Sequence, residues 1–478
     1  AQAQAQAASS VEEVVVTGSR IRTSPLDRDQ PVVQIDEALV AKQGLTSTVD
    51  VLQRIPSAAG GLNGKFNNSG NFGNPPDGGG VGAGSAEIDL RYLSSRRVLV
   101  LVDGLRWVPG AAASGVPGSV DLNTIPTAMI SRMEVLQEGA SPIYGSDAIA
   151  GVVNIITRDR QDGFVANAQI GQTDHSDGFA QDYNVSWGAG TDSLRIVVGG
   201  GYFKQDPVFS GDRAISRFPA PFGTSCLDGG CSSGTPLGRF IVSDPNTGRD
   251  LNLTLKQALA VGQRPTYVPG DPTGPASSFK GFTTADRFNF QPFNYIQTPL
   301  ERISLFGSVT QDITDKVRFR ARASYVQRKS ANQAAPLPLF VGPDAGNGNL
   351  LDTVQVDATN PFNPFGFTLR PGTYAFIGRR MIENGPRHYE QEVDTWNATA
   401  ILSGEFEVGE RTWNWDVNAL YSRNHASQTF TGNVNAQRVQ QALGPVAQCT
   451  GACTPLNLFG GVGTITPAML AFIGFTQQ

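Results

Sequence analysis

Val317-Arg318-Phe319-Arg320-Ala321-Arg322-Ala323-Ser324-Tyr325 is the stretch whose reading decides the fold. Apolar side chains take the odd positions and polar ones the even positions, the period of an extended strand whose two faces meet different media. The same alternation recurs at Phe164, Ala166, Ala168, Ile170, with Val165 as an exception on the polar face. It returns at Leu194, Ile196, Val198, Gly200, Tyr202 and at Ile303, Leu305, Gly307, Val309. Two later stretches repeat it, Trp396, Ala398, Ala400, Leu402 and Trp413, Trp415, Val417, Ala419, Tyr421; a weaker strand fits 181–190.

The connections sharpen this reading. Short turns at 190–193, 312–316 and 407–411 alternate with long loops at 206–300, 329 to about 385, and from 426 onward. Strands of a soluble sandwich alternate too, but short turns on one side and long loops on the other, with aromatic girdles to suit Trp396, Trp413 and Trp415, belong to a membrane barrel. Arg318, Arg320 and Arg322 then face the lumen, since a lipid-facing arginine is costly. The pattern predicts seven strands, at 163–172, 181–190, 194–205, 301–312, 317–328, 386–406 and 412–424.

Composition agrees. A chain of 478 residues exceeds one compact soluble domain, and Gly 55 with Pro 30 suits a loop-rich β protein, while 26 Phe argue against disorder. A net charge of -5 with 17% charged residues leaves no basic footprint, so no nucleic-acid partner is expected. No run of eighteen apolar residues is present, so no transmembrane helix is available. The alternating Ala and Gln of residues 1–7 look like the end left by signal-peptide cleavage, which implies export. Cys226 with Cys231 and Cys449 with Cys453 read as two local disulfides of an oxidising compartment. His175, His388 and His425 lie too far away for a metal site, so no metal is expected. No nucleophile elbow, zinc-protease or phosphate-loop motif occurs, and Gly78, Gly80, Ala83 fit a GxGxxA string that follows no strand and opens no helix. No enzyme and no cofactor are expected.

Between the low-complexity leader at 1–10 and the first alternating strand, residues 11–160 read as a small α/β domain. Helices are predicted at 36–43 and 46–54, a continuous apolar strand at 97–103, the turn dipeptide Asp103-Gly104, and a strand at 105–108. A helix near 127–131 and strands at 132–137 and 151–157 follow.

Specific motifs lie in this part. Leu90-Arg91, then 97–106 with its Asp-Gly turn, Asp121-Leu122-Asn123-Thr124-Ile125-Pro126, 130–136, and the run from Glu138 through Tyr144-Gly145 to Thr157 together resemble the TonB-dependent receptors. The resemblance implies an α+β plug domain inside an antiparallel transmembrane β-barrel, with 22 strands expected for the whole and about seven in this chain. It divides the chain into a disordered leader (1–10), a TonB box (11–18), a plug (19–160) and the N-terminal portion of the barrel (163–478). Glu12, Glu13, Val14, Val15, Val16 and Thr17 would bind TonB, the inner-membrane energising partner, by adding an extended strand to its sheet. Asn67, Asn68, Asn71, Phe72, Arg106 and Trp107 would meet ligand at the outer apex. Arg132, Glu134 and Glu138 could pair with the lumen arginines Arg318, Arg320 and Arg322. Strand parity places the long loops and both cysteine pairs outside the cell and predicts a sequence that stops in an extracellular loop. A second chain, a nicked remainder or a further part of the gene product would then complete the barrel. The implied function is energy-dependent uptake of a bulky ligand across the outer membrane of a Gram-negative bacterium. The alternative is a passive plugged barrel used for surface binding or adhesion.

Overall fold

Five strands form the plug sheet: β1 (Val32–Asp36), β2 (Val98–Val102), β3 (Leu105–Arg106), β4 (Ile130–Leu136) and β5 (Gly151–Thr157), in the spatial order β1-β4-β5-β2-β3. The computed structural model describes residues 32–36, 48–58, 84–110, 118–245, 247–409 and 411–477. β2 is apolar throughout because both its faces are buried, and it runs parallel to β5. Asp103 and Gly104 join it to β3 with φ of 50° and 79°, the two-residue turn that Asp-Gly favours. Helix Thr48–Leu52 and the 3-10 turns Leu122–Thr124 and Thr127–Met129 cover this sheet, burying Leu52, Leu122, Ile125 and Met129. The predicted helix at 127–131 is thus a single short turn, after which the chain is already extended at Ile130. The predicted helix at 36–43 lies outside the described residues beyond Asp36, which ends β1.

The alternating segments build one antiparallel wall: β6 (Gly163–Gly171), β7 (Ala180–Gly190), β8 (Leu194–Gln205), β9 (Leu300–Thr314), β10 (Val317–Ala334), β11 (Arg387–Val408), β12 (Arg411–Val434) and β13 (Gly474–Gln477). Neighbours in sequence are neighbours in space. Seven of these follow the predicted strands. The eighth, β13, corrects the count: four residues after helix Pro467–Ile473 pair with the far end of β12. Tight turns join β7 to β8, β9 to β10 and β11 to β12 at one rim, and the long connections leave from the other. No helix among the described residues is long and apolar enough to cross a membrane.

The long connections fold together. Arg239–Asp244, Arg249–Leu255, Phe279–Gly281, Pro338–Val341 and Tyr374–Arg380 form a second five-stranded sheet above the wall. Helices Ala436–Leu443 and Pro467–Ile473 close on it, so that Phe240, Phe365, Leu443, Phe459 and Met469, drawn from three connections, share one apolar core. Both disulfides form in this cap, Cys226–Cys231 and Cys449–Cys453.

Candidate functional site

The plug leans on the wall through two carboxylates. Asp103 stands at the C-terminal end of β2, where the turn aims its side chain outward. Its Oδ1 accepts from the Thr157 amide at 2.9 Å and its Oδ2 from the Thr157 hydroxyl at 2.7 Å, which ties β2 to the end of β5. The same carboxylate forms a close ion pair with Arg322 and lies 3.6 Å from Arg320 Nη2. Arg320 also donates to Thr157 Oγ1 at 2.7 Å and to its carbonyl at 3.3 Å. One aspartate thus joins two plug strands and the wall.

Asp121 works at a second level. It caps the turn Leu122–Thr124, with Oδ1 accepting from the Asn123 and Ala86 amides, both at 3.0 Å. Its other oxygen lies 2.9 Å from Arg328 Nε, and Arg328 is 0% exposed. Arg328 further donates to Ser330 Oγ at 2.7 Å and Gln391 Oε1 at 2.6 Å. Beside it Arg302 donates to Asn123 Oδ1 at 3.0 Å and Thr127 Oγ1 at 3.3 Å. Arg328 lies six steps along β10 from Arg322, about 20 Å at the usual strand rise, so the contact is a column of guanidiniums on one face. Buried charges of this kind hold only while paired, since breaking one partner costs about 3–5 kcal/mol. Val197 and Phe306, on the lumen faces of β8 and β9, add apolar contact with the plug core. At Gly84 the plug backbone comes so close that a Cβ would sit 2.5 Å from that of Ser330, and its φ of +69° suits glycine.

Glu12, Glu13, Val14, Val15, Val16, Thr17, Asn67, Asn68, Asn71 and Phe72 lie outside the described residues. Arg106 is half-exposed, 2.5 Å from Asp147 and donating to the Tyr144 carbonyl at 2.5 Å. Trp107 is 4% exposed; its indole donates to Thr124 Oγ1 at 2.9 Å, so the ring belongs to the plug core rather than to the apical surface. Arg320 and Arg322 meet the plug, but at Asp103. Glu134 is instead fully buried within the plug sheet, 3.1 Å from Arg132, and Glu138, beyond the end of β4, is exposed. Arg318 pairs with Asp312 inside the wall at 2.5 Å. Sequence reading did not assign Asp103, Asp121, Arg302 or Arg328 to this contact. The parity of 318, 320 and 322 extends to 328, and that signal could have found Arg328.

The family model described as TonB-dependent Receptor Plug Domain matches residues 24–152. Among solved structures, the siderophore receptor PiuA from Acinetobacter baumannii is 14% identical over 98% of this chain and 55% of that one, with a TM-score of 0.39. The siderophore receptor PirA from Pseudomonas aeruginosa is 12% identical over 84% and 53%, TM-score 0.33. The ferric-catecholate import receptor Fiu from E. coli K12 is 15% identical over 92% and 54%, TM-score 0.37. This chain spans about half the length of these proteins. Residues 24–152 thus match the plug domain of TonB-dependent receptors, and the described part of that plug packs against an antiparallel wall.

Proposed function

We propose that this chain forms the plug and first wall strands of an outer-membrane transporter that takes up a bulky ligand under TonB-driven energy. The observation that carries the membrane placement is the outward face of the wall. On β11, Ala398, Ala400, Leu402 and Gly404 fill the interval between Trp396 and Phe406, which are 52% and 47% exposed. The ten-residue step from one to the other spans about 33 Å along the strand and, at a tilt of about 40°, about 25 Å along the membrane normal, the height of an outer-membrane apolar band. Tyr183, Tyr202, Tyr325 and Tyr421 continue the upper girdle, and Phe164, Phe319 and Trp413 the lower one. Above it the outward residues turn polar at Lys204, Glu301, Gln327, Lys329, Glu392 and Asp394. The cap would then stand outside the cell, over the apical plug loops, and ligand would bind between them. Edge strand β6, and β12 below the stretch that β13 covers, would need further strands, from a second chain or a remaining fragment, to close the barrel in lipid.

TonB is the energising partner in this reading, and neither catalysis nor nucleic-acid binding has a part in it. Deleting Glu12–Thr17 tests it: ligand binding to cells should survive and uptake should stop. Uptake that continues at the parental rate would overturn the proposal.

A further inference from the structure

Buried cations gather where the cap meets the wall. Arg379 and Arg380 end the cap strand Tyr374–Arg380 and are both 0% exposed, and Arg387 is buried at the head of β11. Arg379 is balanced, since its Nη2 donates to Glu383 Oε1 and to the Gly461 carbonyl, both at 2.7 Å. Arg380 meets only neutral groups. Its Nη1 donates to the Pro336 carbonyl at 2.7 Å and its Nε to the Gly234 carbonyl at 3.3 Å, while its guanidinium lies 4.8 Å from the centre of the Phe288 ring. Arg387 donates from Nε to the adjacent carbonyl, that of Ala335, at 2.9 Å, which brings a second cation to the same corner. Nη2 of Arg380 is buried and has no hydrogen-bond partner among the described residues. Burial, with the Arg387 cation beside it, pushes the Arg380 pKa down to about 9, so the group stays charged at neutral pH.

We propose that Arg380 Nη2 holds a resident monatomic anion, chloride in ordinary media, which completes the joint between the connections 206–299 and 335–386. A buried donor without a protein acceptor marks a bound water or ion, and the charge decides between them. Water would accept from Nη2 yet leave two like charges side by side in a medium of low dielectric. An anion satisfies the donor and offsets both. The corner is closed to solvent, which suits a halide, whereas phosphate or the carboxylate of a larger solute needs room and more acceptors' worth of donors. Gly234 and Phe288 come from the first connection, Pro336 and Arg380 from the second. The anion therefore stiffens the cap, and its presence does not depend on what the barrel transports.

The test compares the intact protein in chloride and in gluconate at a constant ionic strength of about 0.15 M. Hydrogen exchange is read at peptides covering 232–240, 335–341 and 374–381. An anion that binds only the closed cap slows its opening by the factor 1 + [anion]/Kd, so chloride at about nine times its Kd gives about a tenfold difference. Exchange at these three segments should be slower in chloride by about that factor, saturating as chloride rises, with bromide acting alike. Plug peptides covering 130–136 and 151–157 should not respond. Arg380→Met, of similar reach but uncharged, should abolish the difference, and crystals grown in bromide should show an anomalous peak within hydrogen-bond reach of Arg380 Nη2. Equal exchange in both anions, or no bromide peak in this corner, overturns the proposal and leaves water as the partner. A chloride effect that persists in Arg380→Met, or that the plug peptides share, overturns the assignment to Arg380. If the variant does not fold, the bromide peak and the saturation curve of the parent protein decide the matter.

Discussion

Replacing Asp121 by Asn is the most informative single change at the plug–wall contact. The amide keeps an oxygen for the Ala86 and Asn123 N–H groups, so the turn cap survives and the loss is confined to charge. What remains is Arg328, fully buried beside a neutral group. Removing one partner of such a pair costs about 3–5 kcal/mol. Ser330 and Gln391 still accept from its Nη1 and Nη2, which places the cost near the lower end. At about 1.4 kcal/mol per decade, some 3 kcal/mol raises the opened fraction of the contact roughly a hundredfold. Hydrogen exchange of peptides covering 84–107 and 118–136 reads that fraction directly. Adding Arg328→Met should return exchange most of the way, because a neutral pair of similar volume replaces a buried ion pair at little cost. Exchange in the single variant within about threefold of the parent, or a double variant as labile as the single, would refute the ionic account.

Three further changes have defined outcomes. Gly84→Ala should lower plug stability by about 1–3 kcal/mol, through a left-handed backbone and a clash with Ser330, visible as faster exchange at 84–90 with the wall unchanged. Phe459→Ala, which removes a ring 5.4 Å from that of Phe240 and 6.0 Å from that of Phe365, should cost about 3–5 kcal/mol. Protease sensitivity should then rise together in all three long connections; a rise confined to 435–473 would contradict a shared core. Near the cap, the Arg213 guanidinium, helped by the Thr173 hydroxyl, holds the Asp177 carboxyl down from 3.8 to about 2. A depressed pKa contributes stability in full above the ordinary value and loses it as pH falls through the lowered one. The 173–178 turn should therefore keep its exchange protection at pH 5 and lose it between about pH 4 and 2, and loss already at pH 5 would contradict the pairing.

How much of this could be read from sequence depended on which force shaped each part. The wall strands were legible because one face meets an apolar medium, so Phe319 to Tyr325 alternate cleanly. The upper boundary was not: β10 continues to Ala334, but above Tyr325 its outward residues become Gln327 and Lys329, and the contrast fades while backbone pairing goes on. The cap escaped for a different reason. Its strands run three to seven residues, and its core joins Phe240, Phe365 and Phe459 across long spans that no local period reports. At the plug contact the arginine row was visible, whereas its partners were disguised, Asp103 as a turn former and Asp121 as part of a motif.

The order of the plug sheet has a mechanical meaning. Among the described strands, β1 is an edge strand that hydrogen-bonds to β4, through five register pairs. The Asp103 anchor to the wall sits beyond β4 and β5, at the end of β2. A load applied to the chain ahead of Val32 therefore reaches a tear strip first, and β1 can peel away while Asp103 keeps both arginines. Under such a load the anchor would act as a stop, setting apart a small, reversible extraction from one that pulls the whole plug free.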